Sequence, residues 1–302
     1  MTRLGFLLRR TLGLAVTVWA AFTLAFAYIA LTPFTDGLLD SDQVSASPSD
    51  PLLAQYVDWL GWMLTIWDEP VVATTLDHLA YTAAYLVPSL VLAVVVGVTI
   101  RVYTIGREGT TLDSYVTAAS LLAVSIPVFL IALAMRETLL VPFFETFDVL
   151  RIYDRASGAF TERNLAAALW STAVMTLFLL AVQLRYAGDI LKQYASEDFV
   201  KVARAKGGGS WQVGRHVFRQ TAIPMVSVFF TELLGTVVLA VFVVEYIFGV
   251  PGVGELTIEA VLAQNLPLVL TLAGLVVLTG VLANYLQDVA YMIYDPRVEF
   301  EP

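Results

Sequence analysis

The chain alternates between long apolar stretches and shorter polar segments. Six of the stretches approach the roughly 20 residues that a helix needs to cross about 30 Å of hydrocarbon. They cover residues 12–31, 82–100, 115–135, 165–184, 225–244 and 267–292. A helix pairs all of its own backbone donors and acceptors, which a segment in lipid requires. The pattern therefore predicts an all-α, polytopic membrane protein with about six transmembrane helices.

Two of the apolar stretches contain a proline, Pro88 in the second and Pro127 in the third. Proline removes a backbone donor and clashes with the preceding turn, so a helix bends or breaks there. Neighbouring helices make such breaks tolerable within a membrane. We expect kinks at both positions.

The first segment between apolar stretches, residues 32–81, is long and has two parts. Residues 38–51 are rich in Ser, Asp and Pro and predict a loop, whereas residues 52–67 carry apolar and aromatic positions at helical spacing. The three Trp residues of this second part are typical of a helix at a membrane interface. Such a helix, covering one end of the bundle, is favoured over an element that recognises substrate.

Basic residues are distributed unevenly along the chain, and this predicts its orientation. Cytoplasmic loops retain Lys and Arg. If the N-terminus is inside, cytoplasmic segments hold 13 of the 17 basic residues, and the outer segments hold only Arg136, Arg151, Arg155 and Arg163. The segment 32–81 has no Lys or Arg and carries eight acidic residues. We therefore expect both termini in the cytoplasm and an acidic outer face.

Composition agrees with a membrane protein and narrows the chemistry. Of the 302 residues, 58% are hydrophobic and 14% are charged, whereas soluble domains average about 45–50% and 25%. We therefore interpret residues 1–302 as a single transmembrane domain. The lack of Cys excludes a disulfide, a thiol nucleophile and a thiolate metal site. The net charge of −9 argues against nucleic acid as a partner, because phosphate binding needs a basic face.

Candidate sites for cofactors are sparse. The two histidines, His78 and His216, fall on opposite sides of the predicted membrane, so they predict no metal site. No Gly-x-x-x-x-Gly-Lys-Ser/Thr pattern occurs, so the chain has no P-loop with which to hold ATP phosphates. We expect no catalytic residue and no cofactor bound by this chain.

The polar segment 194–224, between the fourth and fifth stretches, predicts two short helices joined by a glycine hinge. Ser196 is placed to cap the first helix, and Gly207 is placed to end it. Ser210 is placed to cap the second helix. Pro224 marks the end of this segment and the entry into the fifth stretch. Charge and periodicity alone do not separate this segment from any basic, helical cytoplasmic loop.

Four sequences within the chain indicate a family. Residues 198–207 read Asp-Phe-Val-Lys-Val-Ala-Arg-Ala-Lys-Gly, and residues 215–224 form a basic helix ending in proline. Residues 242–254 read Phe-Val-Val-Glu-Tyr-Ile-Phe-Gly-Val-Pro-Gly-Val-Gly, and residues 295–297 read Asp-Pro-Arg. Together they resemble permease subunits of binding-protein-dependent ABC transporters, in particular the dipeptide/oligopeptide branch, which also includes nickel transporters. The beginning of the chain, with its long outer loop, is similar to the first of the two permeases in that branch.

The resemblance implies a type I ABC importer in which this chain forms the translocation path as a heterodimer with a second, similar permease. It implies two cytoplasmic ATPase subunits that hydrolyse ATP and an extracytoplasmic substrate-binding protein. The segment 194–224 is then the ATPase-coupling loop. Its coupling residues are Lys201, Ala203, Arg204, Ala205, Lys206, Gly207, Ser210, Trp211, Arg215 and Arg219. Lys201-Val202-Ala203 stands where most permeases have an acidic residue and two alanines, so no single carboxylate is assigned the coupling.

Three positions in the spans are candidates for the translocation path, namely Pro127, Glu232 and Gly235. A carboxylate at the depth of Glu232 costs about 2.5–3.5 kcal/mol if it faces lipid. We therefore expect it to face the bundle interior, either lining the path or forming a structural hydrogen bond. An ion-coupled secondary transporter, with Glu232 as ion site, is the alternative function; it leaves the segment 194–224 unexplained. The permease sequence does not choose among dipeptides, oligopeptides, nickel complexes and oligosaccharides.

Overall fold

The computed structural model describes residues 3–31, 51–65, 70–107, 109–142, 153–195, 197–263 and 266–294. Every regular element within these ranges is helical. The helices are α1 (Arg3–Leu31), α2 (Leu52–Thr65), α3 (Pro70–Ile105), α4 (Thr111–Val124), α5 (Val128–Met135), α6 (Glu162–Ala195), α7 (Asp198–Ala205), α8 (Ser210–Phe248), α9 (Val253–Leu262) and α10 (Leu266–Tyr294). A π-helical turn, Arg136–Leu140, extends α5.

Three helices within the described ranges are individually long and apolar enough to cross a membrane. They are Val71–Ile105, Glu162–Ala195 and Leu268–Val289. Two bent pairs would raise the number to five if each pair forms one span, namely α4 with residues 128–139, and residues 237–248 with α9. The structure thus agrees with an all-helical polytopic membrane protein.

The centre of the bundle is the contact between α3 and α6, which α8 joins from one side. Tyr85, Met175 and Leu179 are almost completely buried there. Gly97 of α3 lies against the side chain of Gln183 of α6, so Gln183 packs between the two helices. The hydroxyl of Ser89 donates to the carbonyl of Thr172 across the same contact at 3.1 Å.

The two prolines predicted to bend helices behave differently. Pro127 lies at a break where α4 and α5 meet at 90°, as expected. Pro88 lies inside α3, which continues without interruption from Pro70. The long contact with α6 stabilises α3 around the backbone hydrogen bond that Pro88 lacks. Because α3 begins at Pro70, residues 70–81 are helical, although hydropathy places them in the outer loop.

Residues 52–65 form the expected helix, α2, but its aromatic face packs inward. Trp59 is 1% exposed and contacts Phe26, with ring centroids 5.5 Å apart. Tyr56 and Thr23 share a hydrogen bond of 2.7 Å between their hydroxyls. Trp59 therefore packs α2 against α1 and is not exposed on the surface of the bundle. The side chains of Trp62 and Trp67, and residues 38–50, lie outside the described part.

The segment 194–224 differs from expectation at its second helix. That helix does not end near Pro224, because α8 runs for 39 residues from Ser210 to Phe248. The N-cap of α8 is Gly209, and Ser210 is its first residue. The Gln212 side chain accepts a hydrogen bond from the Gly209 backbone N–H at 3.1 Å and so pairs the backbone donor of the N-cap residue. The second short helix and the fifth apolar stretch are thus one element.

Candidate functional site

The hairpin formed by α7 and the first turns of α8, residues 198–219, packs on the adjoining ends of α3 and α6. Val200, Val213 and Val217 are at most 2% exposed and face Ile105, Ala187 and Leu191. Burying each valine contributes about 1.5–3 kcal/mol relative to leaving it in water. One face of the hairpin is therefore fixed to the bundle.

Two glycines allow the α8 backbone to lie directly against α3. A Cβ on Gly106 would overlap the Ser210 carbonyl, and a Cβ on Gly214 would overlap the Val102 carbonyl. Arg107 adds a hydrogen bond to the Ser210 hydroxyl at 3.3 Å and stacks on Tyr103, 4.4 Å from the ring centre. Movement of the hairpin and movement of this end of α3 are consequently linked through backbone contact.

The hinge between the two helices has the predicted geometry at Gly207. This residue has φ 77°, a left-handed conformation that favours glycine. The backbone N–H of Lys206 donates to the Val202 carbonyl at 3.1 Å and closes the last turn of α7. The chain can therefore reverse direction immediately after α7.

The opposite face of the hairpin is exposed and carries basic and apolar side chains together. Lys201 is 70% exposed at its side chain, Val202 is 51% exposed and Trp211 is 50% exposed. Arg215 and Arg219 are also exposed, one turn apart on α8. The Lys201 ammonium donates to Asp198 at 2.8 Å, which lowers the pKa of Asp198 and raises the pKa of Lys201.

Of the other predicted coupling residues, Ala205 and Lys206 are exposed beside the hinge and Ser210 is half-buried. Ala203 and Arg204 belong to α7, but their side chains lie outside the described part. The structure thus brings the described coupling residues onto one hairpin.

A group of charged and polar side chains, mostly buried, lies beside the hairpin between α3, α4 and α6. Arg101 is 3% exposed and donates to the Leu184 carbonyl and to Ser120, the latter at 3.0 Å. Asp113, 6% exposed, lies 3.9 Å from Arg101 and 3.8 Å from the Lys192 ammonium. This cluster joins the ends of three helices, and the sequence analysis did not identify it.

At the other end of α8, the carboxylate of Glu245 is completely buried. Its Oε1 accepts hydrogen bonds from the Thr82 hydroxyl at 2.6 Å and the Tyr85 hydroxyl at 3.0 Å. Its Oε2 accepts from the backbone N–H groups of Gly254 at 2.6 Å and Glu255 at 3.2 Å. These five residues, the Glu245 cluster, connect the end of α8 with α3 and with the first turn of α9.

The backbone around the Glu245 cluster is shaped to fit it. The chain bends by 82° between α8 and α9, and Gly249 at the end of α8 has φ 62°. A Cβ on Gly252 or Gly254 would overlap the Glu245 carboxylate. The first N–H groups of α9 have no acceptor within the helix, and they favour a negative charge at its N-terminus.

A short segment on the same end, residues 153–161, contacts α9. Arg155 forms ion pairs with Glu255 at 2.7 Å and with Glu259 at 3.7 Å. The fully buried side chain of Asn164 holds the segment together through the backbone of residues 154, 157 and 158. The hydroxyl of Tyr81 donates to the Ser157 carbonyl.

Comparison with known proteins identifies the family. Residues 93–300 match the family model described as the binding-protein-dependent transport system inner membrane component. The chain belongs to this family. It is 26% identical over 291 residues to a probable peptide ABC transporter permease protein of Sinorhizobium fredii, covering 91% of this chain and 89% of that protein. It is 23% identical over 312 residues to the dipeptide transport system permease protein of Bacillus subtilis, covering 97% of both chains. A putative peptide permease protein of Brucella suis is 26% identical over 320 residues, covering 96% of this chain and 97% of its own.

An apolar, partly open cavity of about 280 Å³ lies between α3, α8, α9 and α10 of the permease. Leu86, Val241 and Leu272 supply aliphatic walls, and Thr82 and Gly254 of the Glu245 cluster lie along one side. Among the described residues that line it, Pro127 does not appear. Pro127 is exposed at the break before α5, while Glu232 and Gly235 belong to α8 with side chains outside the described part.

The histidines lie at the two ends of the permease. His216 contacts the ring of Phe199 within the hairpin, with centroids 5.7 Å apart. His78 is one helical turn before Thr82 on α3, and its ring bonds with the Thr74 carbonyl at 2.8 Å. Among the described residues, no group of three or more His, Asp or Glu side chains is arranged to hold a metal ion.

Residues 242–254 carry part of the family resemblance, but no role was assigned to Glu245, the residue directly after the fifth apolar stretch. The sequence feature that could have indicated a role for Glu245 is the run from Glu245 to Gly254, in which a carboxylate is followed by three closely spaced glycines. That spacing becomes informative only when the chain folds back on itself.

Proposed function

We propose that this permease is one subunit of an ATP-driven importer of dipeptides or oligopeptides. Its relatives in Sinorhizobium, Brucella and Bacillus are named as peptide or dipeptide permeases, and their alignments extend along nearly the whole chain. In this proposal α1 adds a sixth span to the five candidate spans of the bundle, and both termini are cytoplasmic. The hairpin then lies inside the cell, and the Glu245 cluster lies towards the outside.

The observation that carries the proposed mechanism is the two-sided hairpin. Its apolar face is buried on α3 and α6, while its other face presents Lys201, Val202, Trp211, Arg215 and Arg219. Exposed aromatic and Arg side chains next to one another are typical of protein interfaces. We propose that this face occupies an acidic cleft on a cytoplasmic ATPase subunit.

The partners in this proposal are a second permease, two ATPase subunits and an extracytoplasmic binding protein. The lack of a P-loop in this chain supports the assignment of ATP to the ATPase subunits. Closure of the ATPase pair would move the hairpin, and α8 extends from the hairpin through the bundle as one helix of 39 residues. The bundle would then exchange between inward-facing and outward-facing states because its partners contact the two states differently.

Affinity purification tests the assembly. The chain, tagged in its native host and solubilised gently, is expected to co-purify with a P-loop ATPase and a second permease in near-stoichiometric amounts, identified by mass spectrometry. Recovery of the chain alone or as a homo-oligomer, with transport insensitive to ATP depletion, would contradict the proposal and favour an ion-coupled secondary transporter.

A charge reversal tests the hairpin. Arg215→Glu is expected to lower recovery of the ATPase by about tenfold, because like charges facing each other at an interface cost several kcal/mol. Arg185→Glu is the matched control, since Arg185 pairs with Asp189 on α6 at 3.1 Å and lies outside the hairpin. Equal recovery of the ATPase with both variants would show that the exposed face of the hairpin is not the docking surface.

A further inference from the structure

The Glu245 cluster contains a buried carboxylate that the coupling hairpin does not use. Glu245 is 0% exposed, and its two oxygens accept hydrogen bonds from different elements, one from α3 and the other from α9. None of the ion pairs among the described residues includes Glu245, so hydroxyl and backbone donors stabilise it. Removing a partner from such a buried network leaves polar groups unsatisfied.

The placement of α9 depends on this side chain. The 82° bend turns α9 back towards α3 and α10, and Val253, Gly254 and Thr257 of α9 form part of the cavity wall. The backbone N–H of Val253 also donates to Thr82 at 3.0 Å. The first three N–H groups of α9 are therefore all bound within the cluster.

The cluster and the coupling hairpin lie on the same helix. Ser210 begins α8 within the hairpin, and Glu245 lies in its last turns. The 35 residue steps from Ser210 to Glu245 correspond to about 52 Å of helix at 1.5 Å per residue. Because α8 is one continuous helix, a tilt or rotation that begins at the hairpin reaches the carboxylate at the opposite end.

We propose that Glu245 is a positioning residue that makes α9 follow α8, so that displacement of the hairpin changes how α9 closes the far end of the bundle. One of its oxygens binds the N-terminus of α9, and the other binds Thr82 and Tyr85 and so fixes the position of α8 along α3. A structural role alone would require Glu245 for folding and for assembly. The positioning role requires Glu245 for a movement of the hairpin to reach α9 at the other end of the bundle.

This inference rests on the proposed function and is tested in the complete complex with its ATPase subunits and binding protein, reconstituted in lipid nanodiscs. Glu245→Gln keeps the shape of the side chain but replaces one acceptor oxygen with a donor amide. We expect assembly and basal ATP hydrolysis within about twofold of wild type, while the stimulation by substrate-loaded binding protein falls about tenfold, within the usual range of coupling energies. Glu259→Gln, an exposed carboxylate on α9, is the matched control and should leave the stimulation unchanged.

A distance measurement separates positioning from folding. The chain has no Cys, so spin labels can be placed at Leu76 of α3 and Leu262 of α9, which are 58% and 79% exposed. Wild type is expected to change this distance between the ATP-bound and nucleotide-free states, and Glu245→Gln is expected to give a broad distribution that no longer responds to ATP. A Glu245→Gln complex with the wild-type distances and stimulation would overturn the inference.

A milder variant covers the case in which Glu245→Gln fails to assemble. Tyr85→Phe removes only the 3.0 Å hydrogen bond to Oε1 and should reduce the stimulation by about threefold to tenfold with assembly intact. If Tyr85→Phe is fully active while Glu245→Gln does not assemble, Glu245 is structural and the inference is wrong. If wild type itself shows no ATP-dependent transport, the proposed function fails, and this result is distinct from either outcome.

Discussion

Arg101 shows how a single residue can organise one end of the bundle. Its guanidinium donates to the Leu184 carbonyl of α6 and to the Thr117 hydroxyl of α4. It also fills the space beside Gly188, where a Cβ would overlap it. Asp113 lies between Arg101 and Lys192 at ion-pair distances that are longer than hydrogen bonds. The buried charges are therefore mutually dependent.

We predict that Arg101→Met lowers the free energy of unfolding by about 3–5 kcal/mol, because it leaves Asp113 buried with a weaker counter-charge. An unfolding titration in mixed micelles measures this change. Arg101→Met combined with Asp113→Leu should lose less than the sum of the two single variants. Additive losses would indicate that the two side chains do not interact. Lys192, whose side chain is 36% exposed, can reach water when Asp113 is removed.

Whether a glycine is required at a helical position also depends on the residues that surround it in the fold. Gly214 lies within a helix, where glycine is unfavourable by about 1 kcal/mol relative to alanine. It is nevertheless required there because the α3 backbone occupies the place of its Cβ. Gly280 of α10 has open space around it, although the sequence presents both as glycines within helices.

At the scale of elements, α7 is the clearest case of a helix with two roles. Val200 is 1% exposed against the bundle, and Val202 is 51% exposed on the other side, only two residues further along α7. The same residue type thus serves packing in one place and is free for a partner in the other.

We predict that alanine has different effects at these two positions, on stability at Val200 and on ATPase binding at Val202. Val200→Ala should lower the thermal stability of the solubilised permease, since it removes two buried methyl groups, with each buried carbon contributing about 0.8 kcal/mol. Val202→Ala should leave thermal stability unchanged and reduce recovery of the ATPase. Differential scanning fluorimetry and co-purification, performed on both variants, distinguish the two. A loss of stability with Val202→Ala would place that residue in the core instead of at an interface.

The long helix α8 is the element that the sequence analysis divided wrongly. Pro224 has no backbone N–H, so one helical hydrogen bond is missing within α8. Helix ends, however, depend on whether packing compensates for the lost bond, and α8 contacts α3, α5, α6, α7, α9 and α10. Pro127 has the same local chemistry, and there the chain does break.

At the scale of the whole molecule, the permease has two ends joined by α3, α6 and α8. The hairpin and the buried charges of Arg101, Asp113 and Lys192 form one end. The Glu245 cluster, α9 and residues 153–161 form the other. The described part of the chain thus places its mixed basic and apolar surface and its buried carboxylate at opposite ends.

We predict that membrane-impermeant maleimide labels a single cysteine at Phe160 in intact cells, but labels one at Lys206 only after the membrane is opened. Phe160 is 64% exposed in the segment 153–161, and Lys206 is exposed at the hinge of the hairpin. The physical reason is the retention of basic segments in the cytoplasm. The reverse labelling would show that the hairpin is extracytoplasmic and would also contradict docking of an ATPase there.

The sequence alone determined that the chain is a helical membrane protein, because insertion into lipid depends on the summed transfer free energy of about 20 consecutive residues. It also determined the turn at Gly207 and the break at Pro127, where one residue's backbone chemistry acts locally. It left open the burial of Trp59, divided α8 at Pro224 and assigned no role to Glu245. Only the tertiary structure decided those points, because burial, compensation of a proline and the partners of a carboxylate are set by residues distant in the chain. Thr82, which shares a hydrogen bond with Glu245, is 163 positions away, and no local pattern encodes that contact.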